Sequence, residues 1–248
     1  MSPTDLNSDT ESTTLATKTS ERLATVREQI HRACIASDRD PNSVTLITVS
    51  KTQPAEVISD ALSAGVQHLG ENRVQEAKDK GPLVKGQATW HLIGPLQRNK
   101  VTTALQVFDV VHTLDRESLA DRLQYLLSEH WPERILPVLI EVNLGREQQK
   151  AGVLPDETIH LARRVLEDCP ALRLDGLMAI PPFGEDPEES RPYFRELRIL
   201  RDRLSQDLGT PLPHLSMGMS HDFEVAIAEG ATMVRVGTAI FGPRMPRS

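Results

Sequence analysis

Apolar residues in this chain follow two alternating spacings. Short, continuous β-branched runs give way to stretches in which apolar positions recur every three or four residues, the signatures of a buried strand and an amphipathic helix. The series opens with a helix over residues 20–37, where Leu23, Val26, Ile30 and Ala33/Cys34 share a face. Strand–helix pairs then follow at 44–49 and 54–64, at 67–69 and 73–80, and at 89–93 with a helix from 97. The fourth strand, 109–112, precedes a helix capped by Asp115, and the fifth, 135–142, precedes one opened by Pro155. The sixth, 172–180, is followed by a long helix over 187–206. The seventh, 214–216, is followed by a helix capped by Ser220 and closed by Gly230, and the last strand is 232–236.

Strands separated by helices make a parallel sheet, because parallel neighbours need a crossover connection. Eight such units sharing one core predict a single (β/α)8 TIM barrel of the α/β class, with an additional N-terminal helix. A doubly wound open sheet is the alternative on pattern alone, but there is no GxGxxG after the first strand and no GxxxxGK[ST]. Residues 1–17 are rich in Ser and Thr, carry Asp5, Asp9 and Glu11, and lack the apolar segment of a secretory signal. They are expected to form a disordered tail, which leaves 18–248 as the barrel domain.

Composition narrows the function. A net charge of −7 argues against a general nucleic-acid or anionic-membrane binder. No apolar run reaches transmembrane length. Cys34 and Cys169 have neither metal-ligand nor CxxC spacing and read as reduced thiols of a cytoplasmic protein.

Candidate chemistry begins at Lys51. It sits where the first strand hands over to its helix, and that edge of an α/β fold carries the chemistry. Alone it could be a solvated loop lysine. The loops after strands seven and eight, where barrels often bind phosphate, give it company. They read Ser216-Met217-Gly218-Met219-Ser220 and Arg235-Val236-Gly237-Thr238, with small residues that let backbone N–H groups approach an anion and hydroxyls that can donate. Ser220 could be only a helix cap, and Gly237 only a turn glycine. A lysine across the barrel mouth from a phosphate site suggests a Schiff base. Two chemistries use that arrangement: a class I aldolase, and a protein that holds pyridoxal 5′-phosphate (PLP) on the lysine.

Six ordered motifs carry a resemblance. They are Val49-Ser50-Lys51-Thr52, Gly70-Glu71-Asn72-Arg73-Val74-Gln75-Glu76, the run from Trp90 to Lys100, Gly176-Leu177-Met178-Ala179-Ile180, Leu215 to Asp222, and Val234 to Gly242. In these the chain, from about residue 21 to 244, resembles the PLP homeostasis proteins, small PLP-binding proteins of the alanine-racemase-like barrel type. The resemblance implies that Lys51 binds PLP as a Schiff base, that Ser216, Gly237 and Thr238 hold its phosphate, and that Arg235 faces the pyridine nitrogen. It places Asn72, His91 and Met178 near the ring, although His91 could be a core histidine and Met178 simple barrel packing. Apo PLP enzymes become candidate recipients.

An arginine partner only donates, so it needs the pyridine nitrogen unprotonated, which weakens the ring as an electron sink. A racemase of this fold also needs a second acid/base, commonly a tyrosine from an added β-domain. Here the tyrosines, Tyr125 and Tyr193, fall in predicted helices and the chain ends just after strand eight. The expectation is a monomeric PLP carrier without robust turnover, with a minimal PLP-dependent amino-acid racemase as the alternative. Two departures from the family pattern are Gln53, where a second lysine is common, and the extra tail. Lys150 could be a second aldehyde-accepting amine or a solvated loop lysine. Asp186, Glu188 and Glu189 read as acids at a helix N-terminus, not a metal site.

Overall fold

The structure, a computed structural model, describes residues 3–242, with side chains from residue 17 onward. After α1 (Pro3–Ala36), the chain runs β1 (Thr45–Val49), α2 (Ala55–Ser63), β2 (His68–Glu71), α3 (Val74–Lys80), β3 (Thr89–Leu92), α4 (Val101–Val107), β4 (Val110–Leu114) and α5 (Glu117–His130). It continues through β5 (Leu136–Glu141), α6 (Thr158–Asp168), β6 (Leu172–Met178), α7 (Arg191–Leu208), β7 (His214–Met219), α8 (Phe223–Ala228), β8 (Met233–Val236) and α9 (Thr238–Phe241). The strands close in sequence order into a parallel barrel, with β8 pairing β1 in the register Thr45↔Met233 and Ile47↔Arg235. The predicted (β/α)8 barrel is the observed fold, and the open sheet is excluded by that last pairing.

Two cores follow from strand alternation. One face of each strand meets the surrounding helices in a continuous aliphatic layer that includes Leu69, Leu92, Val138 and Leu177. The other face fills the barrel, where Ile47, Leu139, Met178 and Met233 pack together with Val110. Above and beside this apolar plug the interior is polar, with His91, His112, Glu141, Ser216 and Arg235 all buried. On the outside, α1 buries Leu23, Val26, Ile30 and Cys34, the stripe its spacing predicts. Arg27 reaches from the same helix to Gly65 O at 2.6 Å, just past the end of α2.

Several boundaries differ from the sequence reading. The second strand extends to Glu71, which pairs with Leu92 of β3 and whose carboxylate is buried against Lys80. The sixth stops at Met178, and Ile180 beyond it is exposed. Asp115 does not cap α5, whose N-cap is Arg116; it pairs with the Arg116 guanidinium instead. Ser220 does not cap α8 either, since Asp222 holds that position. Of the expected disordered tail, 1–17, all side chains but that of Thr17 lie outside the described residues. Among the described residues no helix is long and apolar enough to cross a membrane.

Candidate functional site

At the end of β1 the chain turns at once. Gln53 N–H donates to Ser50 O at 3.1 Å and closes a tight turn around Lys51 and Thr52. Thr52 has φ +66°, a left-handed conformation that is costly for a β-branched residue. The turn is held from below and from α3. Ser50 Oγ donates to Glu71 Oε1 at 2.6 Å, and the Thr52 N–H donates to Glu76. Lys80 Nζ donates to Ser50 O at 2.8 Å and pairs with Glu71 at 2.6 Å and Glu76 at 3.0 Å. Both neighbours of Lys51 are therefore tied into one carboxylate–ammonium cluster. Burial raises the Glu71 carboxyl above its ordinary range despite the opposing pull of Lys80 and Ser50. Burial also acts upward on Glu76, but the Thr52 amide and Lys80 outweigh it and leave that carboxyl below the ordinary range.

The phosphate-like feature lies at the end of β8. Ser220 Oγ accepts the N–H groups of Gly237 at 3.2 Å and Ala239 at 3.4 Å, so one oxygen sits between two converging amides. Gly237 has little room for anything larger, because a Cβ there would come within 3.1 Å of Val49 O. A cavity of about 30 Å³ is bounded by Lys51, Thr52 and Gln53 on one side and Gly237, Thr238, Phe241 and Gly242 on the other. Lys51 and the Gly237–Thr238 turn are thus neighbours at the β1–β8 seam. The expected position across the mouth is corrected by barrel closure, which sets the first and last strands side by side.

Arg235 is buried inside the barrel, where Nη1 donates to Ser216 Oγ at 2.6 Å and Nη2 to Ala179 O at 2.9 Å. Burial lowers its pKa to about 10, against the opposing influence of Glu141 and Asp222, so it stays cationic at neutral pH. Ser216 was expected in the phosphate cradle with Gly237 and Thr238. Its hydroxyl is instead fully buried between Arg235 and His112 Nδ1, the latter at 2.9 Å. Strand alternation explains the difference: Ser216 points into the barrel, while Ser220, beyond the strand, reaches the amides.

His91 is buried and bridges His68 and His112 by ring-nitrogen contacts of 3.0 and 2.9 Å. Met178 is part of the apolar plug. Asn72 is half-buried, and its backbone leaves no room for a Cβ at Gly94, which would lie 2.4 Å from Asn72 O. Sequence reasoning missed Glu141, His112, and the Glu71–Glu76–Lys80 cluster. Glu141 ends β5 with a buried oxygen, Oε2, that has no hydrogen-bond partner. Its pKa rises to about 7 through burial and the nearby Asp115, against the pull of Arg235. The available signal was a single acid or histidine at inward positions of otherwise apolar strands, as in Val138-Leu139-Ile140-Glu141 and Val110-Val111-His112.

Lys150 pairs with Glu147 at 2.5 Å on the loop after β5. Asp186 and Glu189 form a capping box ahead of α7, as their placement predicted. Tyr125 and Tyr193 lie on α5 and α7. Cys34 and Cys169 are buried free thiols.

Known proteins share both sequence and fold with this chain. Residues 27–245 match the family model for the alanine racemase N-terminal domain. The pyridoxal phosphate homeostasis protein of Aquifex aeolicus is 48% identical over 90% of this chain and 97% of its own length. The protein of that name in Escherichia coli K12 is 44% identical over 90% and 95%. Among solved structures, PipY of Synechococcus elongatus with PLP bound superposes with a TM-score of 0.79 at 38% identity, covering 90% of this chain and all of PipY.

Proposed function

The chain belongs to the pyridoxal phosphate homeostasis proteins, within the alanine racemase N-terminal domain family, and from that premise we propose that it binds PLP covalently on Lys51 and serves as a carrier in PLP homeostasis. The observation that carries this reading is the seam where Lys51 adjoins two convergent amides already satisfied by a hydroxyl oxygen. When bound, PLP supplies an aldehyde that condenses reversibly with a lysine amine.

The chain's own residues divide the work. The anchored turn from Ser50 to Gln53 fixes the origin of the Lys51 side chain and so limits the entropy lost when its amine is positioned. Gly237 N–H and Ala239 N–H, which here donate to Ser220 Oγ, would hold phosphate oxygens together with the Ser220 hydroxyl, with Thr238 as a further hydroxyl donor at the same turn. Arg235, held by Ser216 and Ala179, has further N–H groups that would donate to the pyridine nitrogen and favour its unprotonated form. His91 and Met178, in the barrel interior, and Asn72, half-buried after β2, would line the ring's side of the site.

Carrier and not enzyme is the reading favoured by the relatives' names and by the placement of Tyr125 and Tyr193 on the outer helices. Hand-over to apo PLP enzymes and a monomeric, cytoplasmic state complete the proposal. Addition of PLP to purified protein should give an absorbance band near ~420 nm from the conjugated imine, lost in Lys51→Ala. A band that survives that substitution overturns the assignment of Lys51. Brisk racemisation of an amino acid by the loaded protein overturns the carrier reading and leaves the binding site intact.

A further inference from the structure

Three imidazoles and one hydroxyl form an unbroken line through the barrel. His68 Nδ1 lies 3.0 Å from His91 Nε2, His91 Nδ1 lies 2.9 Å from His112 Nε2, and His112 Nδ1 lies 2.9 Å from Ser216 Oγ. Arg235 donates to the same hydroxyl oxygen at 2.6 Å. β4 and β7 are not neighbours in the barrel, so the His112–Ser216 link crosses its interior. The lower end is wet. His68 is half-buried at the start of β2 and forms part of the wall of a cleft of about 430 Å³ between α1 and the starts of β1 and β2. The upper end is the buried guanidinium of the site.

A neutral imidazole has one N–H and one lone pair, and each nitrogen–nitrogen contact needs one donor and one acceptor. The choice at one ring therefore dictates the next. Two arrangements satisfy every link. In the first, all three protons sit on Nε2, Ser216 O–H donates to His112 Nδ1, and His68 Nε2–H faces the cleft. In the second, all three sit on Nδ1, His112 donates to Ser216, and the Ser216 hydrogen turns toward the site. Burial and mutual proximity keep the two inner rings neutral: the His91 pKa falls to about 3 and that of His112 lies well below its ordinary value, while burial lowers His68 as well.

We propose that His68, His91, His112 and Ser216 form a proton relay between the basal cleft and the Arg235 end of the site, switching between these two arrangements as a unit. For outward transfer, the Ser216 hydroxyl proton moves to His112 Nδ1 and the His112 Nε2 proton to His91 Nδ1. The His91 Nε2 proton moves to His68 Nδ1, and the His68 Nε2 proton leaves to water in the cleft. Ser216 takes a replacement proton from water, or from a protonated ligand atom, beside Arg235. One proton crosses, each bond broken is matched by one formed, and no ring is left charged. Inward transfer reverses every step. The relay sets whether the Ser216 hydroxyl donates downward or into the site, and it exists in the cofactor-free chain.

The surroundings favour conduction over simple packing. Ile47, Leu139 and Met233 fill the neighbouring interior with apolar groups, which three more aliphatic residues could extend without burying polar nitrogens. The charged and titratable groups facing the line are His214 on β7, the Arg173–Asp175 pair on β6, Glu141 on β5, Arg235 on β8 and, across the cleft, His31 and Arg27 on α1.

Heteronuclear NMR on cofactor-free protein with ¹⁵N-labelled histidines assigns each tautomer directly, so its outcome is independent of whether PLP binds. His91 and His112 should stay neutral between pH 5 and 8 and share one tautomer. His68→Glu, which can only accept from His91 when ionised, should fix His112 as the Nε2–H form. His68→Lys, which can only donate when charged, should fix it as the Nδ1–H form. An unchanged His112 tautomer between these two folded variants overturns the relay. Should either variant fail to fold, opposite tautomers at His91 and His112 in the parent protein, or titration of either ring in that pH range, would do the same.

Discussion

The turn that carries Lys51 is held by Glu71, Glu76 and Lys80. The Glu71–Lys80 pair is among the most buried charge pairs described, with 0% and 10% side-chain exposure. Removing one member of such a pair leaves the other charge without compensation, which typically costs ~3–5 kcal/mol, whereas replacing both by apolar groups of similar volume is often neutral. Glu71→Gln leaves Lys80 with Glu76 as its remaining carboxylate, so it should lower the unfolding free energy in urea titrations by less than the ~3–5 kcal/mol of a wholly unpaired buried charge. The double replacement Glu71→Leu, Lys80→Met should recover most of that loss. A double variant no more stable than the single one would show that the Ser50 hydrogen bond, not the ammonium's lost partner, is what matters. Thr52 belongs to the same account, since its left-handed backbone is held by Glu76 at its amide and by the Ser50–Gln53 turn.

Elements meet at the mouth through contacts that tolerate no side chain. The loop after β3 passes so close to the loop after β2 that a Cβ on Gly94 would stand 2.4 Å from Asn72 O and 2.7 Å from Asn72 Cα. Both obstacles are backbone, so relief requires one loop to move. Gly94→Ala should destabilise by ~1–3 kcal/mol, the usual penalty for overpacking, and should displace the segment carrying Asn72. Thermal unfolding and the amide chemical shifts of residues 71–74 would measure the two effects. A stable variant with unmoved shifts would show that the loops are not in enforced register. The same seam logic governs β1 and β8, where Gly237 lets the cradle approach the lysine turn.

At the scale of the whole molecule, the polar barrel interior makes stability depend on pH with two opposite signs. His91 and His112 have folded pKa values below their unfolded ones, so their contribution is fully present above about pH 6.5 and is lost as acid is added below it. Glu141 is raised from 4.5 to about 7, so its contribution is present below about pH 4.5 and is lost as pH rises through 7. Glu141→Gln removes only the second dependence. The variant's stability relative to the parent should improve by about 3 kcal/mol between pH 4.5 and 8. Chemical denaturation at a series of pH values would test this, and a difference that stays flat with pH would show that Glu141 ionises as freely in the folded chain as in the unfolded one.

The alternation of buried runs and amphipathic stretches determined by itself that the chain is a parallel sheet of eight strand–helix units, because strand period and crossover need are local properties of the sequence; that the sheet closes into a barrel rests on the β8–β1 pairing. It also determined that Lys51 and the Gly237–Thr238 turn stand at the same edge of the sheet, since both follow directly from where a strand ends. Closure decided the rest. Only the β1–β8 pairing makes lysine and cradle neighbours, and only the inward or outward sense of each strand separates buried Ser216 from Ser220 at the amides. Contacts across the interior, such as His112 to Ser216, join residues more than a hundred positions apart, and no local periodicity encodes them. The buried charges Glu71, Lys80 and Glu141 were illegible for the same reason, as a charged residue in a sequence looks solvated until the fold removes the water.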